Sequence, residues 1–265
     1  MSSLHTAREG NQIQSVAKAL DVLECLALSD RALSVRQVAE QCGFSRPTTY
    51  RLLSTLQSRN FVQNMQDGSY RVGTGVLSLG KSVLDHLNLA DVARSHIYAL
   101  SRKTEETVHL SILDGTEILY IAKAESTKPV QMYCNIGTRN PVYNTSMGKA
   151  ILAFLPQARR ETLLRKLTLR AHTPHTITDL PALVEHLDGV RRQGYAIDDR
   201  EVEASIRCVG APVFDYTNDV VGAISVSGPV HRMTDEQIER FAGYVTSTAK
   251  AISQDLGSTT ADTSA

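Results

Sequence analysis

The stretch that most constrains this chain runs from Ser34 to Arg59, where two short helical patterns follow each other almost without a break. Ser34 has Gln37 three positions later, the spacing at which a hydroxyl and an amide satisfy the free backbone groups of a helix start. Val35, Val38, Ala39 and Cys42 form one apolar side, and Gly43 suits the left-handed position that ends a helix. Ser45 then caps a second helix, with Pro47 in the first turn, where a missing N–H costs little. Thr49, Leu52, Leu53 and Leu56 share one face of it; Arg51, Ser54 and Ser58 lie opposite. Two helices joined by a tight glycine turn make a helix-turn-helix. A helix capped by Ser15, with Val16, Leu20, Leu23 and Ala27 on one stripe, precedes them. Phe61–Met65 and Tyr70–Val72, around Gln66-Asp67-Gly68-Ser69, read as a small hairpin, which makes the unit a winged one.

The chain carries 28 basic and 28 acidic residues, so any attraction to nucleic acid has to be local. It is: from Ser45 to Arg59 the sequence holds Arg46, Arg51 and Arg59 and no acid. A helix fits the major groove of B-DNA, where residues near its N-terminus reach base edges and its free N–H groups favour a phosphate. The candidate DNA-contacting residues are Ser34, Arg36, Ser45, Arg46, Thr48, Thr49, Tyr50, Arg51 and, on the wing, Arg71. Arg46 or Arg51 would grip guanine; Ser45, Thr48, Tyr50 and Arg71 would touch phosphates. The competing reading is a three-helix unit with a solvated face, or one that docks onto protein.

With 265 residues, 42% of them hydrophobic, there is material for a second domain with its own core. The pattern divides into a loose tail 1–13, the winged helix-turn-helix 14–74, a linker helix 75–88 with Val76, Leu77, Val83, Leu84 and Leu87, a larger domain 89–256, and a small polar tail 257–265 expected to be disordered. The larger domain opens with a helix from Leu89 to Lys103. Strands Thr107–Leu113 and Glu117–Ala122 turn at Asp114-Gly115, a third strand is expected at 130–134, and Gly137–Tyr143 reads as a loop. Helices follow at Thr145–Leu155, Gln157–Leu167 and Leu180–Gln193. A hairpin, Ala204–Phe214 with Val220–Ser227, turns at Asn218-Asp219, and a last helix covers Thr234–Leu256.

The chemistry of this domain suits binding better than catalysis. Thr145-Ser146-Met147-Gly148 at a helix start offers hydroxyls and free N–H groups to a carboxylate. Ser225 and Ser227, two apart on a strand, face the same side. Asp198, placed in a loop, and Cys208 are polar companions, although Asp198 also suits a turn cap and Cys208 a plain buried thiol. His109 alternates with apolar residues and reads as a strand histidine. Met132, Tyr133 and Met147 leave open an apolar pocket for an aromatic acid. Gly148-Lys149 is no phosphate loop, because Tyr143 stands where the first glycine must be and Ala150 follows the lysine. Neither G-x-S-x-G nor H-E-x-x-H occurs. His172 and His175 beside Asp198, Asp199, Glu201 and Glu203 are a weak metal pattern; those acids read better as solvated or paired with Arg200 and Arg207. No catalytic residue, metal or cofactor is expected. Cys25, Cys42, Cys134 and Cys208 form no C-x-x-C pair and suit a reduced, cytoplasmic setting. With no apolar leader and no run of about 18 apolar residues, no signal peptide or membrane span is expected. The sequon at Asn144 then has no significance.

Several segments resemble one family. Ala19-Leu20-Asp21-Val22-Leu23, Ser34–Ala39 and Ser45–Leu56 are similar to the DNA-binding half of the isocitrate lyase regulator (IclR) family of bacterial transcription factors. Asn144–Ala153, Gly194–Glu201, Cys208–Asp215 and Ala223–Pro229 are similar to its second half, and the resemblance spans about residues 13–256. It implies an α+β protein: an N-terminal winged helix-turn-helix joined by a linker helix to a GAF-like effector-binding domain, an antiparallel sheet flanked by helices. It also implies that Thr145, Ser146, Met147, Gly148, Asp198, Cys208, Ser225 and Ser227 line the effector pocket. The implied protein is a homodimer or homotetramer, pairing through the N-terminal domain and the linker helix, on a palindromic double-stranded operator. The expected activity is that of a repressor controlled by a small carboxylate or an aromatic acid and concerned with catabolism. Two rivals are a metabolite enzyme with a docking winged helix, and an architectural DNA-binding protein whose second domain only oligomerises.

Overall fold

The computed structural model describes residues 13–84, 88–128 and 134–259, and the chain divides between His86 and Leu87 into two compact units. The first contains α1 (Gln14–Ala27), β1 (Leu33–Ser34), α2 (Val35–Cys42), α3 (Arg46–Ser58), β2 (Val62–Asn64), β3 (Ser69–Val72) and α4 (Gly75–Leu84). Both halves of the Ser34/Gln37 capping box are formed, and Gly43 closes α2 at φ 69°, ψ 26°, a conformation that costs a glycine nothing. Ser45 caps α3 with Pro47 in its first turn. Val22, Leu26, Leu33, Val38, Leu53, Leu56, Val62 and Tyr70 form the core of this unit.

Two features of the first unit depart from the sequence expectation. The wing has a third strand: β1 pairs antiparallel with β3 through Leu33↔Tyr70 and Ser34↔Ser69, giving the order β1-β3-β2. Two residues carry no periodic signal, so this strand is invisible without its partner. The second departure is the orientation of α1. Its buried stripe is Val22 and Leu26, with Ala19, Leu23 and Cys25 beside them, whereas Val16 and Leu20 are each more than half exposed and Ala27 also faces out. Its N-cap is Ile13, with no side-chain hydrogen bond, rather than Ser15. The helix is apolar on two sides, and packing against α2 and α3 selects one of them.

The second unit contains α5 (Leu89–Thr104), β4 (Thr107–Asp114), β5 (Glu117–Ala124), β6 (Arg139–Pro141), α6 (Ser146–Phe154), α7 (Gln157–Leu164), α8 (Leu180–Gln193), β7 (Ala196–Asp199), β8 (Ile206–Phe214), β9 (Val220–Pro229) and α9 (Asp235–Asp255). Six antiparallel strands form one sheet in the order β6-β5-β4-β9-β8-β7. One face carries Val108, Leu110, Val209, Ala211, Val213, Ile224 and Val226, covered by α5 and α9. The other lies under α6, whose Met147, Ile151 and Leu152 pack with Ile118 and Tyr120 of the sheet and with Leu183 and Leu187 of α8.

The edge strands β6 and β7 replace the loops expected at 137–143 and around Asp198, because β6 takes its hydrogen bonds from β5 and β7 takes its from the following strand β8. The expected strand at 130–134 falls mostly outside the described residues, as do Met132, Tyr133, Leu87 and most of both tails. The start of the C-terminal tail is ordered rather than disordered: the Ser258 N–H donates to the Ser253 carbonyl at 2.8 Å, and the Ser258 hydroxyl and Thr259 N–H donate to the Asn218 side-chain oxygen at 2.9 and 3.0 Å.

Candidate functional site

The start of α3 is locally self-satisfied. The Ser45 hydroxyl accepts from the Thr48 N–H at 3.4 Å and shares a 2.9 Å hydrogen bond with the Thr48 hydroxyl. Arg46, Tyr50, Arg51, Ser54 and Thr55 are exposed along the outer face. The side chains of Arg51 and Arg59 meet no carboxylate among the described residues, and α3 has no acid of its own. Thr49 must be removed from the DNA-facing set: it is fully buried and its hydroxyl donates to the Ser45 carbonyl at 3.1 Å, because it lies on the same stripe as Leu53 and Leu56. Ser34 is half-buried and its hydroxyl is occupied in the capping box, donating to Gln37 Oε1 at 2.9 Å. Arg36 is exposed but ion-paired with Glu40, one turn along α2, at 2.7 Å. On the wing, Arg71 is exposed and held across the strand pair by Gln63, at 3.2 Å from Nε and 3.0 Å from Nη2.

The second constellation is gathered by strand register. Asp198, Cys208, Ser227 and Thr107 form one row across β7, β8, β9 and β4; Gly210, Ser225 and His109 form the next. Alternation places both rows on the face beneath α6. The Ser225 and Ser227 hydroxyls are 3.4 Å apart. Above them α6 begins, with Thr145 accepting from the Gly148 N–H at 3.1 Å. The N–H groups of Ser146 and Met147 donate to nothing among the described residues, as expected for a first helical turn left open. Gly148 has no room for a side chain, since a Cβ would be driven into the Val142 carbonyl. A Cβ on Gly210 would lie 3.1 Å from the main chain and hydroxyl of Ser146, so the helix start lies directly over β8. The eight sequence-predicted pocket residues therefore come from these two adjoining layers.

Burial sets the charge of these groups. It pushes the Asp198 carboxyl up to about 7, opposed by Lys149 and by the Glu201 N–H, which donates to Asp198 Oδ1 at 2.7 Å. It pushes the Cys208 thiol well up, and the neighbouring Asp198 adds to that. It lowers His109 to about 3, with Lys123 acting in the same direction. A protonated thiol and a neutral imidazole make a binding surface rather than a nucleophile–base pair. Asp199 pairs with Arg200 and Arg207 at 2.9 and 3.0 Å, as the sequence reading preferred. Among the described residues, no group of three or more His, Cys, Asp and Glu side chains is placed to hold a metal, and no helix is long and apolar enough to cross a membrane.

Sequence reasoning missed Lys149, whose side chain is wholly buried and ion-paired with Glu201. The signal was available: a lone lysine leads into the apolar run Ala150-Ile151-Leu152-Ala153. It also assigned no function to His109 and Asn144, both buried with every side-chain polar atom unpaired. Burial of Asn144 explains why its sequon is irrelevant.

A winged helix-turn-helix with an outward row of guanidinium groups, followed by a separate domain with a buried polar cluster beneath a helix start, defines a DNA-binding transcriptional regulator. The chain matches the family model for the IclR helix-turn-helix domain over residues 15–65 and that for the bacterial transcriptional regulator IclR C-terminal domain over residues 81–254. It belongs to the IclR family, whose members are regulators and not enzymes. It is 35% identical to the HTH-type transcriptional regulator XynR of Escherichia coli over 92% of this chain and 98% of that one. It is 32% identical to the E. coli transcriptional repressor IclR over 95% and 93% of the two chains. The crystal structure of the Agobacterium tumefaciens repressor BlcR superposes with a TM-score of 0.81 at 25% identity, covering 94% of this chain and 99% of that one.

Proposed function

We propose that this regulator is a repressor released from its operator by a small polar organic acid bound beneath α6. The observation that carries this reading is the pair of open N–H groups at Ser146 and Met147, set over a row of hydroxyls and a carboxyl whose proton burial holds up to about pH 7. A carboxylate there meets the open N–H groups and, below about pH 7, a protonated Asp198. The polar floor of Asp198, Cys208, Ser225 and Ser227 favours a polar acid over an aromatic one. Repression is supported by the likeness to proteins named as repressors.

DNA is read by Arg46 and Arg51, with Ser45, Thr48, Tyr50 and Arg71 at phosphates. One winged domain covers a short half-site, so specific affinity calls for two copies on a palindromic operator. The exposed Val16 and Leu20 of α1, and Leu77 and Leu79 of α4, supply the apolar surface for pairing. The effector acts through its different affinity for the DNA-competent and DNA-incompetent states.

The test is a gel shift on the DNA upstream of the protein's own gene, at fixed salt because phosphate contacts make affinity steeply salt-dependent, followed by a screen of small acids for release. A specific shift that an acid abolishes, and that persists with the same acid in Ser225→Leu, supports the reading. Specific binding that no acid alters would favour the architectural rival; no specific binding, with turnover of an acid, would favour the enzyme.

A further inference from the structure

We propose that Cys25 and Cys42 are a site of reversible oxidation: a peroxide converts the two thiols to a disulfide between α1 and α2, and the disulfide weakens operator binding. The site lies wholly within the DNA-binding unit and does not depend on the effector reading above.

Cys25 is in the last turn of α1, and Cys42 is the last residue of α2. Both are free thiols, and neither is fully buried. Each reaches the other's helix. The Cys42 thiol donates to the Asp21 carbonyl of α1 at 3.8 Å. The Cys25 thiol donates to Oε1 of Gln41, the residue before Cys42, at 3.1 Å. Asp21 lies one helical turn before Cys25, so the Cys42 sulfur sits against the turn that carries Cys25. Burial, and then the Cys25 sulfur beside it, push the Cys42 thiol up to about 12.

Access separates the roles of the two. A cleft of about 570 Å³ lies against Cys25, with Leu28, Arg31, Leu33 and Gln41 in its walls; Cys42 is not among its lining residues. A peroxide in the cleft therefore meets Cys25 first. The Cys25 sulfur, as the thiolate, attacks one peroxide oxygen and the O–O bond breaks. With hydrogen peroxide, the leaving hydroxide takes up the proton that Cys25 gave up and departs as water, and Cys25 becomes a sulfenic acid. The Cys42 sulfur then attacks the Cys25 sulfur. The S–O bond breaks, and the departing hydroxide leaves as water with the Cys42 proton. Two thiols and one hydrogen peroxide give one disulfide and two waters; the thiols lose two electrons and the peroxide gains them. A thiol reductant reverses the bond by exchange.

The bond acts on the recognition helix through a short connection. Only Gly43 and Phe44 separate Cys42 from Ser45, the N-cap of α3. That connection is tight: Gly43 is at φ 69°, and the Phe44 N–H donates to the Ala39 carbonyl at 2.9 Å. A disulfide holds two sulfurs closer than any contact between thiols, so closing it draws the end of α2 toward α1. Leu53 and Leu56 anchor the later part of α3 in the core. The displaced part is its start, which carries Ser45 and Arg46.

The experiment uses the full-length protein, reduced and then treated with stoichiometric hydrogen peroxide. Alkylation in denaturant followed by non-reducing peptide mass mapping is expected to find Cys25 joined to Cys42. Cys42→Ser is expected to stop at a sulfenic acid on Cys25, trapped by dimedone, and Cys25→Ser to leave Cys42 a thiol. In gel shifts at fixed salt, the oxidised protein is expected to bind the DNA that the reduced protein shifts about tenfold more weakly, and to recover with dithiothreitol. Each serine variant is expected to melt and to bind as the reduced protein does. If mapping of the unaltered protein finds no Cys25–Cys42 link, the proposal falls regardless of the variants. A link that leaves operator affinity unchanged, or a loss of affinity that peroxide also causes in Cys25→Ser, overturns it as well. If the reduced protein shifts no DNA, the operator reading fails by itself, and mapping still decides the disulfide.

Discussion

The ammonium of Lys149, in the first turn of α6, is buried without exposure and ion-paired with the carboxylate of Glu201, in the turn that leaves β7. The same turn returns its Glu201 N–H to Asp198, and the Thr173 and Thr176 hydroxyls hold the Arg200 and Glu201 carbonyls at 2.6 and 2.7 Å. One ion pair thus ties the start of α6 to the end of edge strand β7. Removing one partner strands the other charge in the interior, at a cost of about 3–5 kcal/mol. Lys149→Met should lower stability by that order in denaturant titration. The double variant Lys149→Met/Glu201→Leu should recover much of the loss, and no recovery would show that the pair is not the coupled unit.

Asp198 makes stability depend on pH. In the unfolded chain its carboxyl ionises near pH 4, whereas in the folded protein it keeps its proton to about pH 7. The folded state therefore binds more protons between these values. The contribution is complete below about pH 4, declines as pH rises, and is gone above about pH 7, amounting to at most about 4 kcal/mol. Burial and Glu201 disfavour the charge of the carboxyl, while Lys149 and the Glu201 and Val202 N–H groups favour it. Melting curves from pH 5 to 8 should show this slope, and Asp198→Asn should flatten it.

The same titration bears on the effector. A protonated Asp198 donates a hydrogen bond to a bound carboxylate; an ionised one repels it. Acid affinity should therefore fall as pH rises through about 7, and the fall should vanish in Asp198→Asn. A pH-independent affinity in the unaltered protein would place the carboxylate away from Asp198.

Arg51 and Thr49 lie two residues apart on α3 with opposite consequences. Arg51→Ala should weaken specific operator binding by about 1–3 kcal/mol, the value of a good base contact, with unchanged melting. Thr49→Ala should do the reverse, lowering the melting temperature of the DNA-binding unit while leaving operator affinity at matched folded protein nearly unchanged. The two are separated by gel shift and calorimetric melting on the same preparations.

Leu20→Glu tests the proposed pairing surface. Leu20 is more than half exposed, so the variant should fold. A charge there should dissociate the copies in sedimentation and weaken binding to a palindrome far more than to a half-site.

The sequence by itself determined whatever depends on neighbours a few residues away. The Ser34/Gln37 box, Gly43, Ser45 and Pro47 fix the helix-turn-helix because each satisfies backbone groups within one turn of itself. The two-residue alternation of Ser225 and Ser227 likewise fixes their common face. Tertiary structure alone decided what distant partners control. The two-residue strand β1 and the edges β6 and β7 exist only through hydrogen bonds lent by other strands. The inward face of α1 was chosen by α2 and α3 from two apolar sides, leaving Val16 and Leu20 outside. The burial of Lys149 depends on a carboxylate 52 residues away, and the isolation of His109 depends on four strands meeting in register. Local signals report a residue's own turn or strand; a pocket is a property of segments that meet only when the chain has folded.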